Sequence, residues 1–199
     1  PVRDPFFLMI RRSLNTFMNA FTTSDYTAYP FASQNRKDYQ NLLEVYLDAA
    51  FFSRLHPLDF AQEGHRLEFE QADDPSTPLC YQGVVFNEMK GDTSSPMSML
   101  YHAIQKELYP TSTYHFNSGG DPKDIPNLTY EGLRDFYQTH YHPTNAVFMT
   151  CGDMPAAQQQ QLFHEFALNK FTEPSCVHIS VQPENRFDTP VTSVGHYPV

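Results

Sequence analysis

Glu88 is the side chain of this sequence whose type and setting best suit metal chemistry. It lies in residues 84–91, VVFNEMKG. A catalytic zinc ion takes three protein ligands and keeps a fourth position open for water, and a carboxylate is one of the accepted ligands. On residue type alone, however, a single glutamate is more often solvated or salt-bridged. The segment is therefore compatible with zinc chemistry without requiring it.

The sequence lacks the histidine motif that usually supplies the other zinc ligands. In the inverted zincin arrangement, His-x-x-Glu-His on one helix contributes two imidazoles and a general base. Neither this order nor His-Glu-x-x-His occurs among the nine histidines. His140 and His142 are close together, but both lie near the end of a predicted helix, where an imidazolium suits the helix dipole. We therefore expect no complete metal site within the 199 residues.

Residues 81–90 are predicted to form the helix that positions Glu88. The Val-Val-Phe run would suit a strand, but the polar residues around it give a mixed face that a helix accommodates better. Apolar spacing and capping residues predict further helices over residues 6–13, 36–52, 96–108, 130–140 and 155–170.

The remaining segments carry β-strand patterns. Two β-prone runs surround Thr23-Ser24-Asp25 and predict a hairpin, and turn residues predict a loop over 73–78. Helices inserted among strands favour an α+β sandwich with a largely antiparallel sheet over a doubly wound parallel sheet. The strands are predicted over residues 15–22 and 26–32, within 60–69, and over 145–151 (buried), 177–181 and 190–196.

The composition narrows the class of partner. A chain of 199 residues can bury one core, and its formal net charge of −10 argues against nucleic acid or an anionic membrane surface. Cys80, Cys151 and Cys176 form no Cys-x-x-Cys pair, so a reducing compartment is favoured, either cytoplasm or an organelle matrix. The first residue is not Met, so the localisation stays open.

Four segments occur in an order that resembles the insulinase or pitrilysin family of zinc metallopeptidases, and most closely its presequence-protease branch. The resemblance runs from Pro1 to about Val181. The dipeptide Asp92-Thr93 is more acidic than the family pattern leads us to expect. It implies a sandwich like that of LuxS and the mitochondrial processing peptidase, and cleavage of short unfolded peptides by metal-activated water. The four segments are residues 14–22, 84–91, 118–122 and 141–146.

The resemblance also implies roles for particular residues. Glu88 would be the third zinc ligand, while the two histidines and the base would precede Pro1, so the 199 residues alone should be inactive. Asn19 and Ala20 would lie on an edge strand whose backbone adds a strand to the peptide, flanked by Phe17 and Phe21. Without the resemblance, Asn19 could equally mark a β-bulge. Residues 1–182 would form part of an N-terminal peptidase domain, and 183–199 a tail leading to the next domain.

Two alternatives remain at this point. The chain could come from a non-catalytic family member that serves as a peptide-binding or assembly module, or it could be a structural domain with accidental motif matches. The retained carboxylate at Glu88 argues for the enzyme, since a domain freed from metal binding need not keep it. The expected partners are extended peptides and the other domains of the same parent chain, with no nucleic acid and no membrane.

Overall fold

The structure, a computed structural model, describes residues 5–174 and 179–196. The chain divides into two units, which we describe separately. The first contains the described residues of Pro1–Phe21, Thr27–Arg54 and Asp135–Ile179. The second contains those of Thr22–Tyr26, Leu55–Arg134 and Ser180–Val199.

Helices outnumber strands in the described residues. In chain order the helices are α1 (Pro5–Arg12), α2 (Arg36–Phe51), α3 (Pro57–Glu63), α4 (Val84–Asp92), α5 (Pro96–Leu108), α6 (Tyr130–His140) and α7 (Ala156–Phe166). The strands are β1 (Asn15–Met18), β2 (Phe21–Thr22), β3 (Thr27–Ala28), β4 (Phe31–Ser33), β5 (Arg66–Phe69) and β6 (Leu79–Gln82). Short 3₁₀ turns cover Thr113–His115, Ile125–Asn127, Pro143–Asn145 and Leu168–Lys170.

In the first unit, β1 and β4 form the arms of the predicted hairpin. They pair antiparallel, with Asn15 opposite Ser33 and Met18 opposite Phe31, and an irregularity follows Asn15. Because antiparallel neighbours need only a short connection, the two β-prone runs pair with each other directly. The hairpin prediction is confirmed.

Helix α2 provides one side of the core of this unit. The Asn35 side chain caps it by accepting the N–H groups of Lys37 and Asp38, each at 3.0 Å, as its position before the apolar periodicity predicts. Leu42 is fully buried in this helix. The buried core cluster that joins α2 to α7 comprises Leu43, Leu47, Leu162, Phe163 and Ala167.

In the second unit, β5 and β6 pair antiparallel, with Arg66 opposite Gln82 and Phe69 opposite Leu79. The helix predicted from residue 81 therefore starts later, because residues 81 and 82 belong to β6 and the helix begins only after Gly83. Helix α3 was not predicted. Pro57 takes its first position and the side chain of His56 accepts the Leu58 N–H, so both residues favour a helix start here.

Two strand predictions are wrong. Residues 146–151 form no strand, and Val147 and Met149 are each 91% exposed, because no strand of the described residues lies beside them. Residues 190–196 are likewise irregular. Of the strand predicted over 177–181, positions 177 and 178 lie outside the described residues and 179–181 are not a strand. The class α+β is confirmed, since helices and antiparallel strand pairs both occur.

The segment from Ser180 to His196 is attached to the rest of the second unit through Glu184. Its carboxylate accepts the backbone N–H of Thr111 at 2.8 Å, the Thr111 hydroxyl at 2.6 Å and the Ser112 N–H at 3.1 Å. These bonds, the Thr111 hydroxyl foremost, lower the pKa of Glu184 to about 2. Because bonds to the charged form depress a carboxyl pKa, the attachment depends on ionisation.

We expect the attachment to be complete above the ordinary glutamate pKa and to be lost as the pH falls toward about 2, since the folded-state pKa is depressed. At neutral pH, Glu184→Gln should speed trypsin cleavage after Arg186, whereas Glu173→Gln, at an exposed carboxylate elsewhere, should not. Equal cleavage rates in wild type and Glu184→Gln would contradict the attachment.

No helix in the described residues combines the length and apolar character needed to cross a bilayer.

Candidate functional site

Helix α4 presents Glu88 on its exposed side. Its inner face buries Phe86 and Met89, which pack with Ile125 in a core cluster of the second unit. Glu88 follows Phe86 by two positions and precedes Met89 by one, so it lies off the buried face of the helix and is exposed. Within the part of the chain that the structure describes, its carboxylate makes no hydrogen bond or ion pair. The carboxylate is thus free to act as a ligand.

Gly83 fixes where α4 begins. A Cβ added at this residue would lie 2.0 Å from the carbonyl oxygen of Gly64 and 2.7 Å from its carbonyl carbon. Both are backbone atoms, which cannot rotate away as a side chain can. Only glycine therefore fits between β6 and α4, and the close contact places the first turn of α4 against the end of α3.

The Gly119–Gly120 loop packs against the other end of α4. A Cβ on Gly119 would lie 2.2 Å from the sulfur of Met89, and Gly120 has a φ of +91°, which favours glycine. The Gly120 N–H donates to the carbonyl of Asn117 at 2.9 Å. The two glycines therefore form a tight turn beside α4.

The last residue of α4, Asp92, is hydrogen-bonded to α5. Its Oδ2 lies 2.8 Å from Nε2 of His102. Bonds from His102, Ser98 and Asn117, with His102 foremost, hold the pKa of Asp92 below its ordinary value. The carboxylate is therefore ionised near neutral pH and joins α4 to α5.

The described residues contain no group of three or more His, Cys, Asp or Glu side chains placed to hold a metal ion. An exposed carboxylate on a helix has donor chemistry that zinc accepts, so Glu88 is a candidate metal ligand. His140 Nδ1 bonds the carbonyl of Phe136 at 2.8 Å, and His142 Nδ1 accepts the Thr144 N–H at 3.2 Å. Both imidazoles thus have local structural partners.

The four hairpin residues with predicted peptide contacts lie together in the first unit. Phe17 and Phe21 are 49% and 45% exposed. Asn19 and Ala20 fall between β1 and β2, where Asn19 donates its N–H to Pro30 at 3.1 Å. The Asn19 side chain accepts the Ala20 N–H at 2.8 Å. A peptide strand that used the Ala20 N–H would therefore have to replace this bond.

Sequence reasoning missed Gly83, His102 and Asn117 as residues that position α4. An isolated glycine between a strand pattern and a helix pattern was the available signal for Gly83. No local pattern identifies His102 or Asn117, because their partners lie 10 and 15 residues away along the chain.

Comparisons with known proteins find similar sequences. Residues 127–194 match the family model described as the peptidase M16 inactive domain. The chain is 55% identical to the mitochondrial presequence protease of Danio rerio over 192 residues, which is 96% of this chain and 18% of that protein. It is 56% identical to the mitochondrial presequence protease of Mus musculus over 86% of this chain and 16% of that protein. It is 43% identical to presequence protease 1, chloroplastic/mitochondrial, of Arabidopsis thaliana over 100% of this chain and 18% of that protein.

These matches show that the chain belongs to the peptidase M16 family. Within the family it is similar to presequence proteases. The chain spans about 18% of the length of the curated relatives that it matches.

Proposed function

We propose that this chain is part of a zinc-dependent metallo-oligopeptidase that hydrolyses short unfolded peptides of the targeting-presequence type. The observation that carries the proposal is the exposed Glu88 on a helix positioned by backbone contact at Gly83, in a chain related to presequence proteases. A carboxylate ligand needs such a rigid support, since a loosely held ligand lowers the affinity of the site for the metal ion.

Glu88 would serve as the third zinc ligand in the full-length protein, by which we mean the longer polypeptide whose size the relatives indicate. Two histidines and the general base would come from a His-x-x-Glu-His helix outside these 199 residues. Bound zinc would activate a water molecule for attack on the peptide carbonyl. Within this chain, the task of Glu88 is to present an anionic oxygen from a fixed position.

The hairpin would bind the peptide as an added strand. The main chain at Asn19 and Ala20 would supply the hydrogen bonds, and the exposed rings of Phe17 and Phe21 would contact alternate peptide side chains. Because Asn19 Oδ1 holds the Ala20 N–H, its side chain would rotate away on binding.

The fold of the full-length protein would be a sandwich like that of LuxS and the mitochondrial processing peptidase, with residues 1–182 in its N-terminal peptidase domain and 183–199 leading onward. The full exposure of Val147 and Met149 supports this proposal, because a larger sheet would cover them. The names of the relatives support an organelle matrix as the location.

A second candidate is a non-catalytic binding or assembly module. The match of residues 127–194 to a domain described as inactive favours it for that part of the chain. Glu88 lies outside the matched residues, so we keep the proposal that the segment around α4 belongs to an active peptidase.

Zinc content and peptide hydrolysis, measured side by side, test the proposal. We expect the 199-residue chain to bind no zinc and to hydrolyse no peptide. A chain extended by the proposed upstream segment should bind about one zinc ion, and the full-length protein should hydrolyse a fluorogenic peptide. Hydrolysis by the 199-residue chain would contradict the proposal that most of the zinc site lies outside these residues. Absence of zinc from the full-length protein would favour the binding module.

A further inference from the structure

Asp92 occupies an electrostatically unfavourable position on α4. It is the last residue of the helix, and the negative end of the helix dipole disfavours an anion there. The same carboxylate lies beside α5, where Ser98 helps to lower its pKa and where the positive end of the helix dipole favours an anion. The position of Asp92 is therefore understandable only through its contacts with α5.

His102 is the main partner of Asp92. Its Nε2 lies 2.8 Å from Asp92 Oδ2, and its Nδ1 is buried without a hydrogen-bond partner in the described structure. A hydrogen on Nδ1 would be buried without an acceptor, so the geometry favours the tautomer with its hydrogen on Nε2, donated to Asp92. The imidazole thus has one hydrogen bond, and that bond holds α4.

Asn117 extends the link to the glycine loop. Its amide nitrogen lies 3.0 Å from His102 Nε2, but an Nε2 that donates its hydrogen to Asp92 cannot accept from this amide. The amide instead helps to hold the pKa of Asp92 below its ordinary value. Its Oδ1 accepts the Gly119 N–H at 3.0 Å, and Gly119 packs against Met89 of α4. The final turns of α4 are therefore held by apolar packing at Met89 and by polar contacts at Asp92.

We propose that Asp92 is the positioning residue for Glu88, acting through His102 and Asn117 to set the direction of α4. Glu88 precedes Asp92 by four residues, so both lie on the same side of the helix about one turn apart. A shift of the last turn would move the Glu88 carboxylate with it. This inference rests on the proposed role of Glu88 as a zinc ligand.

The test compares zinc dissociation constants of full-length variants, measured by competition with a metal chelator. Asp92→Ala and His102→Leu should each weaken zinc binding about 10- to 100-fold, as losses behind a metal ligand commonly do. His102→Gln keeps an N–H donor of similar length and should retain an affinity close to wild type. Glu107→Gln, at an exposed carboxylate of α5, is the matched control and should change nothing.

The outcomes separate this inference from the proposed function. If Glu88→Gln leaves zinc affinity unchanged, the ligand assignment fails. If Glu88→Gln weakens it but His102→Leu does not, only the positioning role fails. A role confined to folding would lower the melting temperature while leaving the zinc affinity of the folded protein unchanged, and that result also overturns the inference. If Asp92→Ala does not fold, the zinc affinities of His102→Leu and His102→Gln test the positioning role by themselves.

Discussion

Glu88→Gln in the full-length protein is expected to weaken zinc binding by more than about 100-fold, because loss of a residue that merely orients a ligand already costs about 10- to 100-fold. Glutamine has nearly the same shape as glutamate, but it offers a neutral carbonyl in place of an anionic oxygen. Peptide hydrolysis should fall at least in proportion to the zinc lost at a limiting metal concentration. Chelator competition and a fluorogenic peptide assay measure the two effects.

The controls distinguish a lost ligand from a damaged fold. Glu88 is exposed and makes no contact with the described residues that glutamine would break, so the melting temperature of the metal-free protein should not change. Glu107→Gln should leave zinc affinity and hydrolysis at wild-type levels. Full zinc occupancy in Glu88→Gln at low free zinc would exclude this residue as the third ligand.

Gly83→Ala is expected to destabilise the second unit by at least about 3 kcal/mol, at the upper end of the cost of overpacking. The added Cβ would lie 2.0 Å from the Gly64 oxygen, so either the junction of β6 with α4 or the end of α3 must move. The cause is steric contact, since the φ of 164° is an extended value that alanine can adopt. Chemical denaturation of the 199-residue chain, followed by circular dichroism, measures the change.

Gly91→Ala is the matched control for this substitution. Gly91 lies within α4, and a Cβ there would meet nothing within 4 Å. Because alanine has the higher helix propensity, this change should stabilise the chain by about 0.5–1 kcal/mol. Similar denaturation midpoints for the two alanine variants would show that the Gly83 contact does not constrain α4.

Predictions from sequence were right where neighbouring residues decide the structure. The Asn35 cap and the apolar spacing of α2 act within a few residues, and the hairpin pairs β1 with a strand only a short turn away. Prediction failed for residues 146–151, whose strand pattern needs a partner strand that the described residues do not place beside it. It also failed for α3, because a proline can begin a helix as readily as end one.

Motifs and periodicity along the chain were enough to predict the family, the class of fold and the candidate ligand Glu88. Only the tertiary structure showed how that carboxylate is supported. The contact of Gly83 with Gly64, the bond of Asp92 with His102 and the bond of Asn117 with Gly119 beside α4 depend on how these segments fold. Such contacts form only when folding brings those segments together, because no local pattern of residue types encodes the distance between them.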